Sequence, residues 1–231
     1  SHPVARELIK KSGCMIAAPS ANISGRPSPT KAAHVIEDLS GRIDGIIDGG
    51  DVDIGLESTI IDVTEDVPMV LRPGYISLED IRSVTKTAET DPGILSADAN
   101  TPPKAPGMRY RHYAPAGSLI IVEGQQDSVI KKINDLTAEA RGQGKKVAVM
   151  ATTETADSYT CERVFVIGSF SDEDTIAKNL YATLRQFDAE GIELIYSESF
   201  ATPHIGQAIM NRLLKAAGHQ RIKMDREPDS K

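Results

Sequence analysis

The chain has 231 residues, an apolar share of 40%, a charged share of 26% and a formal net charge of -7, enough length for one large domain or two modest ones, each with its own core. Its acidic balance gives no electrostatic footprint for non-specific nucleic-acid binding, so strong direct contact with RNA is not expected. No run of about 18 apolar residues and no charged-then-apolar leader occurs, which excludes a membrane-spanning reading and points to a soluble, cytoplasmic protein.

Residues 1–13 read as a helix, with Pro3 early, Val4, Leu8 and Ile9 on one face and Gly13 as its stop. Cys14 to Ala18 is a short apolar, strand-like run. Neither Cys14 nor Cys161 has a partner at metal or redox spacing, and both are expected as small core residues in a reducing compartment. The stretch Ala18-Pro-Ser-Ala-Asn-Ile-Ser-Gly-Arg-Pro-Ser-Pro-Thr30 follows. Ser20, Asn22, Ser24 and Ser28 offer short donors, Gly25 permits close backbone approach, and Pro19, Pro27 and Pro29 stiffen the loop. It reads either as a surface turn or as an anion-binding loop beside a helix N-terminus. Thr30 is placed to cap the next helix, through Leu39.

Gly45 to Gly50 has the look of a buried strand ending in a glycine turn, and Gly55-Leu-Glu-Ser-Thr-Ile-Ile-Asp62 enters a β-branched strand with Glu57, Ser58 and Thr59 at its mouth. Those hydroxyls suit either a ligand or the local backbone. Pro68 to Gly74 is another strand, ending in Arg72, whose planar fork suits phosphate or carboxylate but also a solvated edge. Ser77 with Asp80 resembles a capping box opening a short helix through about Val84.

From Thr85 the apolar periodicity dissolves. The far end of this linker is Pro102-Pro-Lys-Ala-Pro-Gly-Met-Arg-Tyr-Arg-His-Tyr-Ala-Pro115, which sets cations, Tyr110, His112 and Tyr113 on a segment that cannot be simple helix. It is either a linker packed on a domain surface or a lid over an anionic ligand. Beyond it, strands at Leu119 to Val122, Val147 to Met150, Val164 to Ile167 and Leu194 to Tyr196 alternate with helical patterns from Val129 to Ala140, Ile176 to Phe187 and Ala208 to Leu214. That alternation predicts a parallel sheet covered on both faces, a small Rossmann-like domain. It carries no Gly-x-Gly-x-x-Gly or P-loop fingerprint.

Taken in order, Ser-Ala-Asn-x-Ser-Gly-Arg-Pro-Ser-Pro-Thr, Gly-Leu-Glu-Ser-Thr, Leu-Arg-Pro-Gly and Pro-Gly-Met-Arg-Tyr-Arg-His-Tyr-Ala-Pro resemble the two-domain threonylcarbamoyl-AMP synthases over essentially the whole chain. The resemblance implies an α/β protein: residues 1–84 as the C-terminal part of a YrdC-like catalytic domain with a twisted sheet, 85–117 as linker and lid, 118–224 as the Rossmann-like domain and 225–231 as a polar tail. It implies a nucleotidyltransferase that converts L-threonine, bicarbonate and ATP to threonylcarbamoyl-AMP and pyrophosphate, the first step towards N6-threonylcarbamoyladenosine in tRNA. Mg²⁺ would accompany ATP, no tightly bound organic cofactor is implied, and the partner downstream is the tRNA threonylcarbamoyl-transfer machinery.

Carried over by motif, Ser20, Asn22, Ser28, Arg72, Tyr110, His112 and Tyr113 would serve ATP, and the Ala18 backbone and Ser58 would serve threonine. No nucleophile or general base is implied. The resemblance also carries a departure. Family members have about a hundred further N-terminal residues with a Lys-x-Arg element, so this chain reads as a fragment that alone lacks half of the catalytic pocket. The alternative reading is a non-catalytic module of tRNA modification that binds a nucleotide or a partner.

Overall fold

The computed structural model describes residues 2–95, 113–200 and 204–224, and these form two α/β units. The first runs through α1 (Pro3–Ser12), α2 (Ala32–Leu39), β1 (Ile60–Asp62), β2 (Met69–Arg72), α3 (Leu78–Thr85), β3 (Glu89–Thr90) and α4 (Pro92–Leu95). Local chemistry explains its helix ends. Pro3 preorganises the first turn of α1, Lys10 and Lys11 sit at its negative end, and Gly13 closes it at φ 66. Ser77 and Asp80 form the expected capping box on α3.

Two expectations fail here. Cys14 to Ala18 and Gly45 to Gly50 form no strands, and Cys14, Ile46 and Ile47 are exposed. A strand exists by its ladder, and among the described residues neither run has a partner strand. Cys14 is therefore no core residue, whereas Cys161 is buried with its thiol 3.7 Å from the Val147 carbonyl oxygen. The small sheet has the order β1-β2-β3, with β1 antiparallel to β2 and β3 parallel to it. Glu89 and Thr90 pair with Met69 and Val70, so the small sheet takes its third strand from the stretch after Thr85.

The second unit holds β4 (Ser118–Glu123), α5 (Gln126–Gly142), β5 (Val147–Thr152), β6 (Val164–Gly168), α6 (Glu173–Ala189), β7 (Leu194–Glu198), α7 (Gly206–Ala216) and β8 (Arg221–Lys223). Its five strands are parallel in the order β6-β5-β7-β4-β8. Alternation along β5 sends Ala148 and Met150 to a core with Ile176, Leu180, Leu184, Ile209 and Leu213, and Val147, Val149 and Ala151 to the opposite core with Val129, Ile133 and Ala140. Helices thus cover both faces, as a period of two within the strands requires. The short β8 completes the sheet, although one isoleucine between two cations gave no strand signal.

The two units meet along α6 and α7. Gly55 presses against α6 with φ +78, and a Cβ there would strike the backbone of Ala177 and Lys178. Leu56 and Tyr113 pack onto the apolar cluster of the second unit. Ala116 N–H donates to Asp188 at 2.6 Å, anchoring the chain as it enters β4.

Candidate functional site

A cleft of about 840 Å³ opens where the units meet, lined by Ser20, Ser28, Thr30, residues 49–57 and Tyr181, together with His2 and, from α1, Leu8. Its floor is organised by one carboxylate. Ser28 Oγ donates to Glu57 Oε1 at 2.9 Å, Tyr181 donates its hydroxyl to both Glu57 oxygens at 2.9 Å, and Arg212 Nε lies 3.1 Å from Oε2. Burial alone would raise the Glu57 carboxyl, but Arg212, Ser28 and Tyr181 together outweigh it and hold the group below the ordinary carboxylate range. Glu57 therefore stays ionised at neutral pH. Burial and the Glu57 charge push the Tyr113 hydroxyl up to about 12 and that of Tyr181 well above its usual value, so both remain protonated donors.

The serine loop is fixed by a second carboxylate. Asp38 of α2, 2% exposed, accepts from Ile23 N–H at 3.2 Å and bonds both Arg26 and Arg185. Burial opposes its charge, yet Arg185, the Ile23 amide and Arg26 prevail and depress its titration. Arg185 also donates from Nε (3.0 Å) and Nη2 (2.6 Å) to the Pro27 carbonyl. Within the loop, Asn22 Nδ2 bridges the carbonyls of Ile23 (2.9 Å) and Arg26 (3.2 Å). Asn22 shapes the loop in this way, and it does not line the cleft.

Arg72 forms a neighbouring group. Its Nε and Nη2 meet the Ser58 carbonyl at 3.1 and 2.9 Å, and Nη2 lies 3.4 Å from Ser58 Oγ. Gly74 lies so close to the backbone of Glu57, Ser58 and Thr59 that no Cβ would fit, which explains the glycine after Pro73. Tyr113 stacks at 5.0 Å and 42° against Tyr181 and has φ 65. Lys215, buried beside Arg212, is pushed down to about 8, first by burial and then by that arginine.

Of the residues expected at a site, Ser20 and Ser28 share the cleft, while Ser58 and Arg72 adjoin it through the Glu57 turn. Ala18 is exposed and outside the lining. Tyr110 and His112 lie outside the described residues. Thr30 differs from its expected role. Lys31 occupies the N-cap of α2, Thr30 N–H donates to His34 Nδ1 at 3.1 Å, and the Thr30 hydroxyl, in a residue 5% exposed, has no hydrogen-bond partner among the described residues. Sequence reasoning missed Asp38, Tyr181, Arg185 and Arg212. Their signal was faint: Tyr181 and Arg185 lie four apart on an apolar helix face, where a polar pair is out of place.

Fold and site together define a two-domain α/β protein with a cleft at its domain boundary, built over the Glu57 carboxylate. Comparison with known proteins gives the class a family. A model described as "Threonylcarbamoyl-AMP synthase, C-terminal domain" matches residues 76–218, and one described as "Telomere recombination" matches residues 1–74. The chain belongs to the threonylcarbamoyl-AMP synthase family. Synthases of Pyrococcus abyssi and Bacillus subtilis are each 46% identical to it, over 97% and 96% of this chain but 64% and 62% of their own lengths. The Schizosaccharomyces pombe synthase is 38% identical, over 94% of this chain and 55% of its own length. The chain thus spans less than two thirds of these relatives. Among solved structures, P. abyssi Sua5 complexed with L-threonine superimposes with a TM-score of 0.87 at 45% identity, over 97% of this chain and 64% of that one. A double variant of the same protein, with consecutive histidine and tyrosine changed to alanine, gives 0.89 at 44% identity, over 99% of this chain and 64% of that one.

Proposed function

We propose that this chain supplies part of a threonylcarbamoyl-AMP synthase, which joins L-threonine, bicarbonate and ATP and releases pyrophosphate. The observation that carries the reading is the meeting of the serine loop and the Glu57 turn in one cleft, with Arg72 next to it on Ser58, in a chain 46% identical to two named synthases. The threonine amine and bicarbonate give a carbamate and water. A carbamate oxygen then attacks the α-phosphorus of ATP, and the bond to pyrophosphate breaks. Such a reaction needs positioning and charge stabilisation more than a covalent nucleophile.

In this reading Ser20 and Ser28 serve the nucleotide, Ser28 through its remaining lone pairs since its hydrogen goes to Glu57, and Asn22 holds their loop in shape. Arg72 supplies a fork for phosphate, while Ser58 and the Ala18 backbone serve threonine. Residues 85–117 act as linker and lid between a catalytic unit over 1–84 and the Rossmann-like domain over 118–224. Tyr110, His112 and Tyr113 close over the nucleotide and keep water from the labile carbamate. This chain has a single His-Tyr dipeptide, His112-Tyr113, and P. abyssi Sua5 was solved with such a pair replaced.

Mg²⁺ enters with ATP as part of the substrate. An ion of this kind is held mainly by the substrate's phosphates. The product passes to the tRNA threonylcarbamoyl-transfer machinery, in the cytoplasm. Among the described residues no helix is long and apolar enough to cross a membrane.

The test is pyrophosphate release by the natural full-length protein. Release that requires ATP, threonine and bicarbonate together supports the reading, and release indifferent to threonine would overturn it.

A further inference from the structure

The Rossmann-like domain has no nucleotide fingerprint, yet it commits two buried arginines to the other domain. Arg185 of α6 is 4% exposed and Arg212 of α7 is 1% exposed. Burying a guanidinium is costly unless its donors are met. One partner is a surface carboxylate, Glu37 at 3.6 Å from Arg185 Nη1; the closer ones are built into the first unit. Arg185 grips the Pro27 carbonyl and Asp38, which are the base of the serine loop. Arg212 grips Glu57 and the Pro73 carbonyl, tying together the two strand-end turns that carry Ser58 and Arg72. Tyr181, one turn before Arg185, closes the gap by donating to the Glu57 carboxylate that also receives Ser28.

We propose that Arg185, Tyr181 and Arg212 form a clamp by which the Rossmann-like domain sets the spacing between the serine loop and the Glu57 turn. Arg185 and Arg212 lie outside the cleft lining and act as positioning residues, while Tyr181 lines the cleft as well as tying its floor to α6. The loop belongs to no helix or strand; its own unit ties it through Asn22 and through Asp38 to Ile23 and Arg26, and Arg185 holds both Asp38 and the Pro27 carbonyl from the other unit. Both ends of the clamp use planar bidentate or bridging geometry, which a lysine cannot reproduce. The second domain is then a part of the binding site's frame, and its helices matter to a reaction whose groups lie mainly in the first.

The inference rests on the synthase reading for its kinetic consequence, but its structural half can be measured apart from it. In the natural full-length protein, amide hydrogen exchange is followed for residues 22–28 and 57–59, with the β4 and β5 cores as the folding control. Arg185→Ala should speed exchange of residues 22–28 about tenfold and leave β4 and β5 unchanged. Exchange that stays at the wild-type rate, or that rises equally everywhere, overturns the clamp. If Arg185→Ala does not fold, Arg185→Lys is read in the same way.

Kinetics then separate positioning from simple support. Arg185→Lys and Tyr181→Phe should raise the ATP KM about five- to tenfold with kcat nearly kept. A fall in kcat at constant KM, the mark of fewer intact molecules, overturns the positioning role. A wild type that releases no threonine-dependent pyrophosphate overturns the synthase reading, and the exchange result still decides the clamp.

Discussion

Arg185 meets Asp38 edge to edge, Nη1 3.2 Å from Oδ1 and Nη2 2.8 Å from Oδ2, across 147 residues of sequence. The pair is buried on both sides, so removing the carboxylate strands Arg185 and takes an acceptor from Arg26. Asp38→Ala should lower the unfolding free energy by about 3 to 5 kcal/mol, the usual penalty for breaking one side of a buried pair. Urea unfolding followed by circular dichroism measures this. A loss below about 1 kcal/mol would mean that Pro27 and Glu37 hold the arginine without Asp38.

Acid should act on the same contacts. Asp38 and Glu57 both titrate lower in the folded protein than when exposed. The stability they add is fully present above the unfolded carboxylate range of about pH 4 and is lost as pH falls through the lower folded values. Unfolding free energy should therefore drop steeply below about pH 4, and the drop should be shallower in Asp38→Ala. Parallel slopes in the two proteins would remove Asp38 from the account.

The second domain was legible because its helices repeat an apolar face over 17 residues in α5 and α6, and its strands are continuous apolar runs. The first was less so. The run at Cys14 to Ala18 has the composition of a strand but no ladder, and composition cannot report a missing neighbour. Two of the four motifs, the serine loop and the stretch from Gly55 to Glu57, contribute to the cleft lining, yet Ser28, read as a ligand donor, gives its hydrogen to Glu57. The clamp escaped notice because an arginine among leucines reads as a helix edge until its partner, more than a hundred residues away, is seen.

Arg72 faces two ways. Its fork rests on Ser58, so it either turns to a phosphate or fixes the threonine side. For a phosphate role, Arg72→Ala should cost about 1.5 to 3 kcal/mol in ATP use, roughly ten- to a hundredfold in kcat/KM for ATP. The threonine dependence should change less. An equal or larger loss for threonine would assign Arg72 to Ser58 instead.

The two cysteines should separate by reactivity. Cys14 is exposed and Cys161 is buried, so a thiol reagent should modify one cysteine quickly in the folded chain and the other only on unfolding. Mass analysis of the peptides identifies which. Rapid labelling of Cys161 would show that the edge of the sheet beside β5 opens readily.

Lys215 gives the opposite pH trend to the carboxylates. Burial and Arg212 lower its titration from 10.5 to about 8, with Glu57 opposing and Arg72 adding to the fall. Below pH 8 the lysine is charged in both states, and the folded protein bears the cost of that buried charge. Above it the folded state sheds the proton first, so the unfolded state binds more protons and stability rises with pH. The rise should be about 1 kcal/mol per pH unit between about pH 8 and 9.5, close to the limit for a single group. Tyr113, raised to about 12, works against this only at higher pH, where unfolded tyrosines ionise. Lys215→Met should abolish the slope and raise stability at neutral pH, as urea midpoints across that range would show. A flat wild-type profile would mean that Lys215 keeps its proton in the folded protein through the interactions around it.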